Sequence, residues 1–123
     1  MPYATVSIKV SIDQKASELG GQADPQMLAS VGDVGKYVVE FVFGDIYSRP
    51  DLSLRDREMI TVAVLTALGG LDAQLRVHMK AAFHLGVTTK ELEEVVLQTV
   101  PYAGFPRALN AMGVYSSLKK ELL

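Results

Sequence analysis

The side chains able to move protons near neutral pH are sparse in this chain. Its two histidines, His78 and His84, both fall in the stretch "LRVHMKAAFHLG". Imidazole has the ordinary pKa nearest physiological pH, so these are the first candidates for acid–base work. A helix advances about 100° per residue. On that wheel His78 shares a face with Leu75, Ala82 and Leu85 and turns inward. His84 lies about 120° away, beside Val77 and Lys80, on a flank open to water. Imidazoles so placed cannot grip one metal from one helix, and no His-x-x-x-His spacing exists. No metal site is expected.

Glu58 is the second candidate. Its helical stripe holds Leu54, Val62 and Leu65, all apolar. A carboxylate on a core stripe is unfavourable unless it is paired or functional. It can serve its own helix N-terminus, where negative charge is favourable. It can pair with a buried arginine. It can also face His78 from the preceding helix, fix the ring's tautomer and share its proton. A lone inward histidine is by default a core residue satisfied by one hydrogen bond. An inward carboxylate on the neighbouring helix raises the functional reading of both.

The remaining polar groups say less. Lys36 and Glu40 are spaced as an i,i+4 ion pair. Asp45 lies near a helix C-terminus, where it can bond neighbouring backbone. Arg49, in the loop before Pro50, can clamp a carboxylate with its planar fork or form a surface pair. Met27, Met59, Met79 and Met112 read as core filler.

These side chains need elements to hold them. Asp24 before Pro25 is an N-cap with proline at the first helical position. A helix starts there, breaks near Gly32, and resumes after Asp33 to about Tyr47. Ser53 and Asp56 open the next helix, which stops at Gly69–Gly70. Its segment "ITVAVLTAL" has almost no polar face and reads as buried all round. Another helix covers about Asp72 to Leu85, stopped by Gly86. Thr88 with Glu91 forms a capping box for the next. Pro101 should kink or end that helix. A last helix restarts after Gly104. The stretch "ATVSIKVSID" alternates like a strand or arm, so residues 1–23 are set apart from a single helical domain over 24–123. The expected fold class is all-α.

Composition bounds the function. At 123 residues, one core is expected. Apolar residues make up 49% and the mean hydropathy is +0.20. A small domain cannot hide that much apolar surface alone, so a homo-oligomer is expected. The net charge of −2 leaves no basic surplus for nucleic acid. No apolar run has membrane-spanning length and no secretory leader is visible, so a cytoplasmic protein is expected. The sequence contains no cysteine, which removes disulfide and thiolate chemistry.

The run "SRPDLSLRDREMITVAVLTALGGLDAQLRVHMKAAFHLGVTTKELEEVVLQTVPYAGFPRALNA" resembles the carboxymuconolactone decarboxylase family, whose fold is the AhpD-like helical bundle. The anchors are "RDRE…TVAVLTALG", "HMKAAFHLGVT" and "YAGFPRALNA", in order, within about residues 36–118. The peroxidase-like branch of that superfamily carries Cys-x-x-Cys followed by three residues and then a histidine. Set on His78, the cysteine positions fall at Leu71 and Gln74, so thiol peroxidase chemistry is excluded. The decarboxylase branch, without metal or organic cofactor, removes CO₂ from 4-carboxymuconolactone to give the enol-lactone of β-ketoadipate in aromatic catabolism.

By this resemblance His78 is the acid–base residue and Glu58 its partner or a second proton carrier. Tyr47, Arg49 and Tyr102 line the substrate pocket. The partners implied are a small-molecule substrate and further copies of the chain, as a trimer or hexamer. Pro101, Thr99, His84 and the first third of the chain depart from the family pattern. A different reading keeps the fold but no turnover: a helical small-molecule-binding or scaffold protein. A third, redox chemistry with another chain's thiols, has little to support it.

Overall fold

The computed structural model describes residues 25–122. The arm expected over residues 1–23 and the Asp24 cap lie outside them. Every element among the described residues is helical. The chain divides into two compact units at Ser53–Leu54.

In the first unit, α1 (Pro25–Ser30) and α2 (Asp33–Tyr37) are separated by a turn through Gly32. Gly35 of α2 is buried against α1. A Cβ there would lie 1.8 Å from the Leu28 carbonyl oxygen, so no larger residue fits without moving α1. The helix resumed after Asp33 as expected, but its continuation over Val38–Ile46 is π-helical. Tyr47 N–H donates to the Val42 carbonyl at 2.7 Å, five residues back. The run "VVEFVFGDI" is rich in β-branched and aromatic residues and contains a glycine, so little intrinsic preference holds it to the tighter α turn. Ser48 Oγ donates to the carbonyls of Phe43 and Gly44, at 2.8 Å each, where the ladder ends. The wider turn changes what faces what. Lys36 holds its ammonium over the Tyr37 ring, 5.8 Å from the centroid, in place of the expected pair with Glu40. Phe43 and Tyr47 still meet, edge to face at 5.5 Å, and both are buried. Met27 is exposed, which corrects its assignment as core filler: α1 is short and turns that side chain to water.

The second unit is a bundle of four helices: α3 (Leu54–Leu68), α4 (Asp72–His84), α5 (Thr89–Ala103) and α6 (Phe105–Leu122). α3 packs on α4, α5 and α6, and α6 also packs on α4 and α5. Gly69 and Gly70 both adopt left-handed backbone (φ 74° and 71°), which reverses the chain between α3 and α4 without the Cβ penalty. Thr88 and Glu91 close the expected capping box: each side chain accepts the other's backbone N–H at 3.0 Å. Pro101 does not stop α5. It lies in the last turn, where one missing donor is tolerated, and the helix ends at Gly104.

Leu75, Met79, Ala82, Leu92, Val96, Ala111 and Leu118 fill the core together with Val62. Met59 and Met112 pack against it. The expectation that α3 is buried all round is wrong. Its core stripe is Glu58, Val62 and Thr66, while Ile60, Val64 and Leu68 stand exposed. Its neighbours in this unit cover one side of it and leave the other apolar side open.

Candidate active site

α3 begins at Leu54, and Glu58 sits just beyond its first turn. α4 begins at Asp72, and His78 sits near its middle. The two helices pack side by side, and the chemistry-bearing residues meet between them. His78 Nδ1 lies 2.7 Å from Glu58 Oε2. The glutamate is 0% exposed, whereas the histidine side chain keeps 26% of its surface open. A buried carboxylate therefore backs a partly open imidazole.

That asymmetry has a chemical consequence. With Glu58 ionised, the carboxylate has no proton to give and Nδ1–H must be the donor in this contact. The ring is then held in one tautomer and one orientation. Nε2 is the nitrogen not engaged by Glu58, available to take or deliver a proton. A positive charge on the ring is opposed across 2.7 Å by the carboxylate. The remaining core around them is apolar: Val62, Leu75, Met79 and Ala82 are all buried.

His84 is exposed at the end of α4. Tyr102, in the last turn of α5, is 84% exposed. Tyr47 and Arg49 belong to the first unit. Tyr47 is buried edge-on to Phe43, and Arg49 follows the π-helical segment in an exposed turn, its N–H donating to the Ile46 carbonyl at 3.2 Å. Asp45 is exposed. Leu71 caps the start of α4 and Gln74 is exposed in its first turn, so neither position of the cysteine pattern offers a thiol. Among the described residues, no cluster of three or more His, Cys, Asp or Glu side chains is arranged to hold a metal ion.

Two further polar contacts in the bundle were not foreseen. Arg55, one turn before Glu58, donates from Nη2 to both carboxylate oxygens of Glu91 on α5. The guanidinium and the Thr88 N–H together hold the Glu91 carboxyl below its ordinary range. Tyr115 donates to Glu93 at 2.9 Å, tying α6 to α5. Burial, reinforced by the Glu93 carboxylate, pushes the Tyr115 phenol up. Residues 36 positions apart leave no mark in a helical wheel, so the Arg55–Glu91 contact had no sequence signal beyond the local capping box.

Comparison with known proteins gives the family. The model of the carboxymuconolactone decarboxylase family matches residues 32–116, which include both Glu58 and His78. The chain is 34% identical over 118 residues to 4-carboxymuconolactone decarboxylase of Acinetobacter baylyi, covering 93% of this chain and 87% of that protein. It is also 28% identical over 85 residues to an uncharacterised 15.0 kDa protein of Paracoccus denitrificans, covering 68% of this chain and 63% of that one. On the extent of the family match and of the longer alignment, the chain belongs to the carboxymuconolactone decarboxylase family.

Proposed function

We propose that this protein is a cofactor-free carboxy-lyase acting on a small carboxylated lactone, 4-carboxymuconolactone or a related acid. His78 is its acid–base residue and Glu58 is the partner of that ring. The observation that carries the reading is the 2.7 Å contact between a fully buried carboxylate and a partly open imidazole. The similarity to a protein named 4-carboxymuconolactone decarboxylase supports the substrate class.

The chemistry asks little beyond proton control. The bond between the ring carbon and the carboxylate breaks, and CO₂ leaves. Its electron pair passes into the conjugated lactone as an enolate. His78, doubly protonated, returns a proton to carbon from Nε2, while Glu58 offsets the ring's charge through Nδ1–H. The neutral ring then recovers a proton from solvent. Tyr47, Arg49 and Tyr102 enter the proposal as substrate-binding residues on the resemblance alone. The exposed apolar side chains of α3 support assembly with further copies of the chain, as a trimer or hexamer.

The test is a spectroscopic assay of 4-carboxymuconolactone decay with wild type, His78→Ala and Glu58→Gln. Loss of His78 is expected to lower kcat by roughly 10²–10⁴-fold, the usual contribution of a positioned acid–base group. An active wild type unaffected by His78→Ala removes this mechanism. A folded but silent wild type favours the binding or scaffold reading instead.

A further inference from the structure

We infer that the Arg55–Glu91 ion pair is a positioning device for Glu58, and through it for the His78 imidazole. The inference rests on reading the His78–Glu58 pair as the acid–base centre. His78 lies in the middle of α4, where the backbone is bonded on both sides. Glu58 is differently placed. It follows the first turn of α3, and the first turn of a helix carries amide groups with no partner in the helix, so it frays first. Something must fix the start of α3 if a contact of 2.7 Å is to persist.

Arg55 is three residues ahead of Glu58 and one residue into α3. Its guanidinium bonds both oxygens of Glu91. Glu91 is itself fixed, because Oε1 accepts the Thr88 N–H at 3.0 Å and the Thr88 hydroxyl accepts the Glu91 N–H at 3.0 Å. One carboxylate therefore closes the cap of α5 and anchors the first turn of α3. The two jobs share an oxygen, so α3 is registered against the capped start of α5. Sliding or fraying of α3 by about 1 Å takes Glu58 out of hydrogen-bond range of Nδ1 and releases the ring's tautomer.

The two histidines of the chain make the test clean. Long-range ¹H–¹⁵N spectra report the tautomer of each ring, with exposed His84 as the internal reference. The variants are Arg55→Met and Glu91→Gln. The second keeps an oxygen to accept the Thr88 N–H, so α5 keeps its cap while the ion pair is lost. In wild type, His78 is expected to show the Nδ1–H form. Both variants are expected to move His78 toward the pattern of His84 and leave His84 unchanged. On 4-carboxymuconolactone, kcat falls about tenfold while KM stays within about twofold, as for misplaced catalytic groups. Arg55→Lys, which keeps the charge, recovers part of both signals. If the variants lower Tm but leave the His78 tautomer and kcat where they were, the pair is a stabilising contact and the inference is overturned. A wild type with no turnover removes the decarboxylase reading, while the tautomer shift still decides this one.

Discussion

The two sides of α3 invert the usual rule of burial. On the side facing the bundle, Glu58 is fully buried between Leu54 and Val62 in the stripe, a charged side chain with no surface left to water. On the other side, Ile60 and Leu68 are 50% and 61% exposed, with Val64 similar. Hydrophobicity alone would exchange these positions. A buried carboxylate is tolerated here because an imidazole meets it at 2.7 Å. Exposed aliphatic residues are tolerated singly, but in a row four residues apart they form a surface suited to a partner. One helix thus carries the chemistry inward and the apolar surface outward.

The largest effect expected on this comparison comes from making the inner side obey the rule. Glu58→Met replaces the buried carboxylate with an apolar side chain of similar length. Turnover of 4-carboxymuconolactone should fall at least about 100-fold, since the ring loses the group that orients it. Stability should fall by about 1–3 kcal/mol, because removing one member of the pair leaves the ring's Nδ1 without its acceptor. Thermal unfolding measured beside activity checks both. A large loss of Tm with activity intact would make Glu58 a structural residue.

A smaller effect follows from making the outer side polar. Ile60→Ser, Val64→Ser and Leu68→Ser together change side chains that touch little of the core. Each should shift the stability of the isolated chain by only about 0.5 kcal/mol. If further copies cover this side, the triple variant dissociates, and light scattering shows a lower mass than wild type. An unchanged mass places the assembly surface elsewhere, for instance on Tyr102, Phe105 and Leu109, which are also exposed.

How much of this was legible beforehand depends on the range of the interaction. Most helix ends were legible because their signals are local: Thr88 with Glu91, the Gly69–Gly70 reversal, the restart of α6 after Gly104. The approach of His78 to Glu58 was legible because both residues sit inward on successive helices, and antiparallel neighbours joined by a short turn must pack. The exposed side of α3 was not, since an apolar pattern does not record which neighbour will cover it. The π-helical register over Val38–Ile46 was not either. Its hydrogen bonds span five residues instead of four, and side-chain periodicity at 100° per residue assumes the shorter step. Glu91 was read only as half of a cap and Arg55 drew no reading of its own, because nothing in either stretch names the other.

The smallest expected effect concerns Glu91, at the edge of the same helix pair. Its carboxyl is held below the ordinary range, first by the Arg55 guanidinium and then by the Thr88 N–H. A depressed folded-state pKa means that the native state holds the ionised form more tightly than the unfolded chain does. The resulting stabilisation is complete above the unfolded value, about pH 4.3 for glutamate. It is lost as the pH falls from there through the lower folded value, because the unfolded state takes up the proton first. Since both side chains are more than a third open to water, salt should weaken the effect. Wild type and Glu91→Gln should therefore converge in Tm as the pH drops below 4, and should differ most near neutrality at low ionic strength. Converging curves, with a His78 tautomer that Glu91→Gln does not move near neutral pH, would leave the ion pair a role in stability and none in the site.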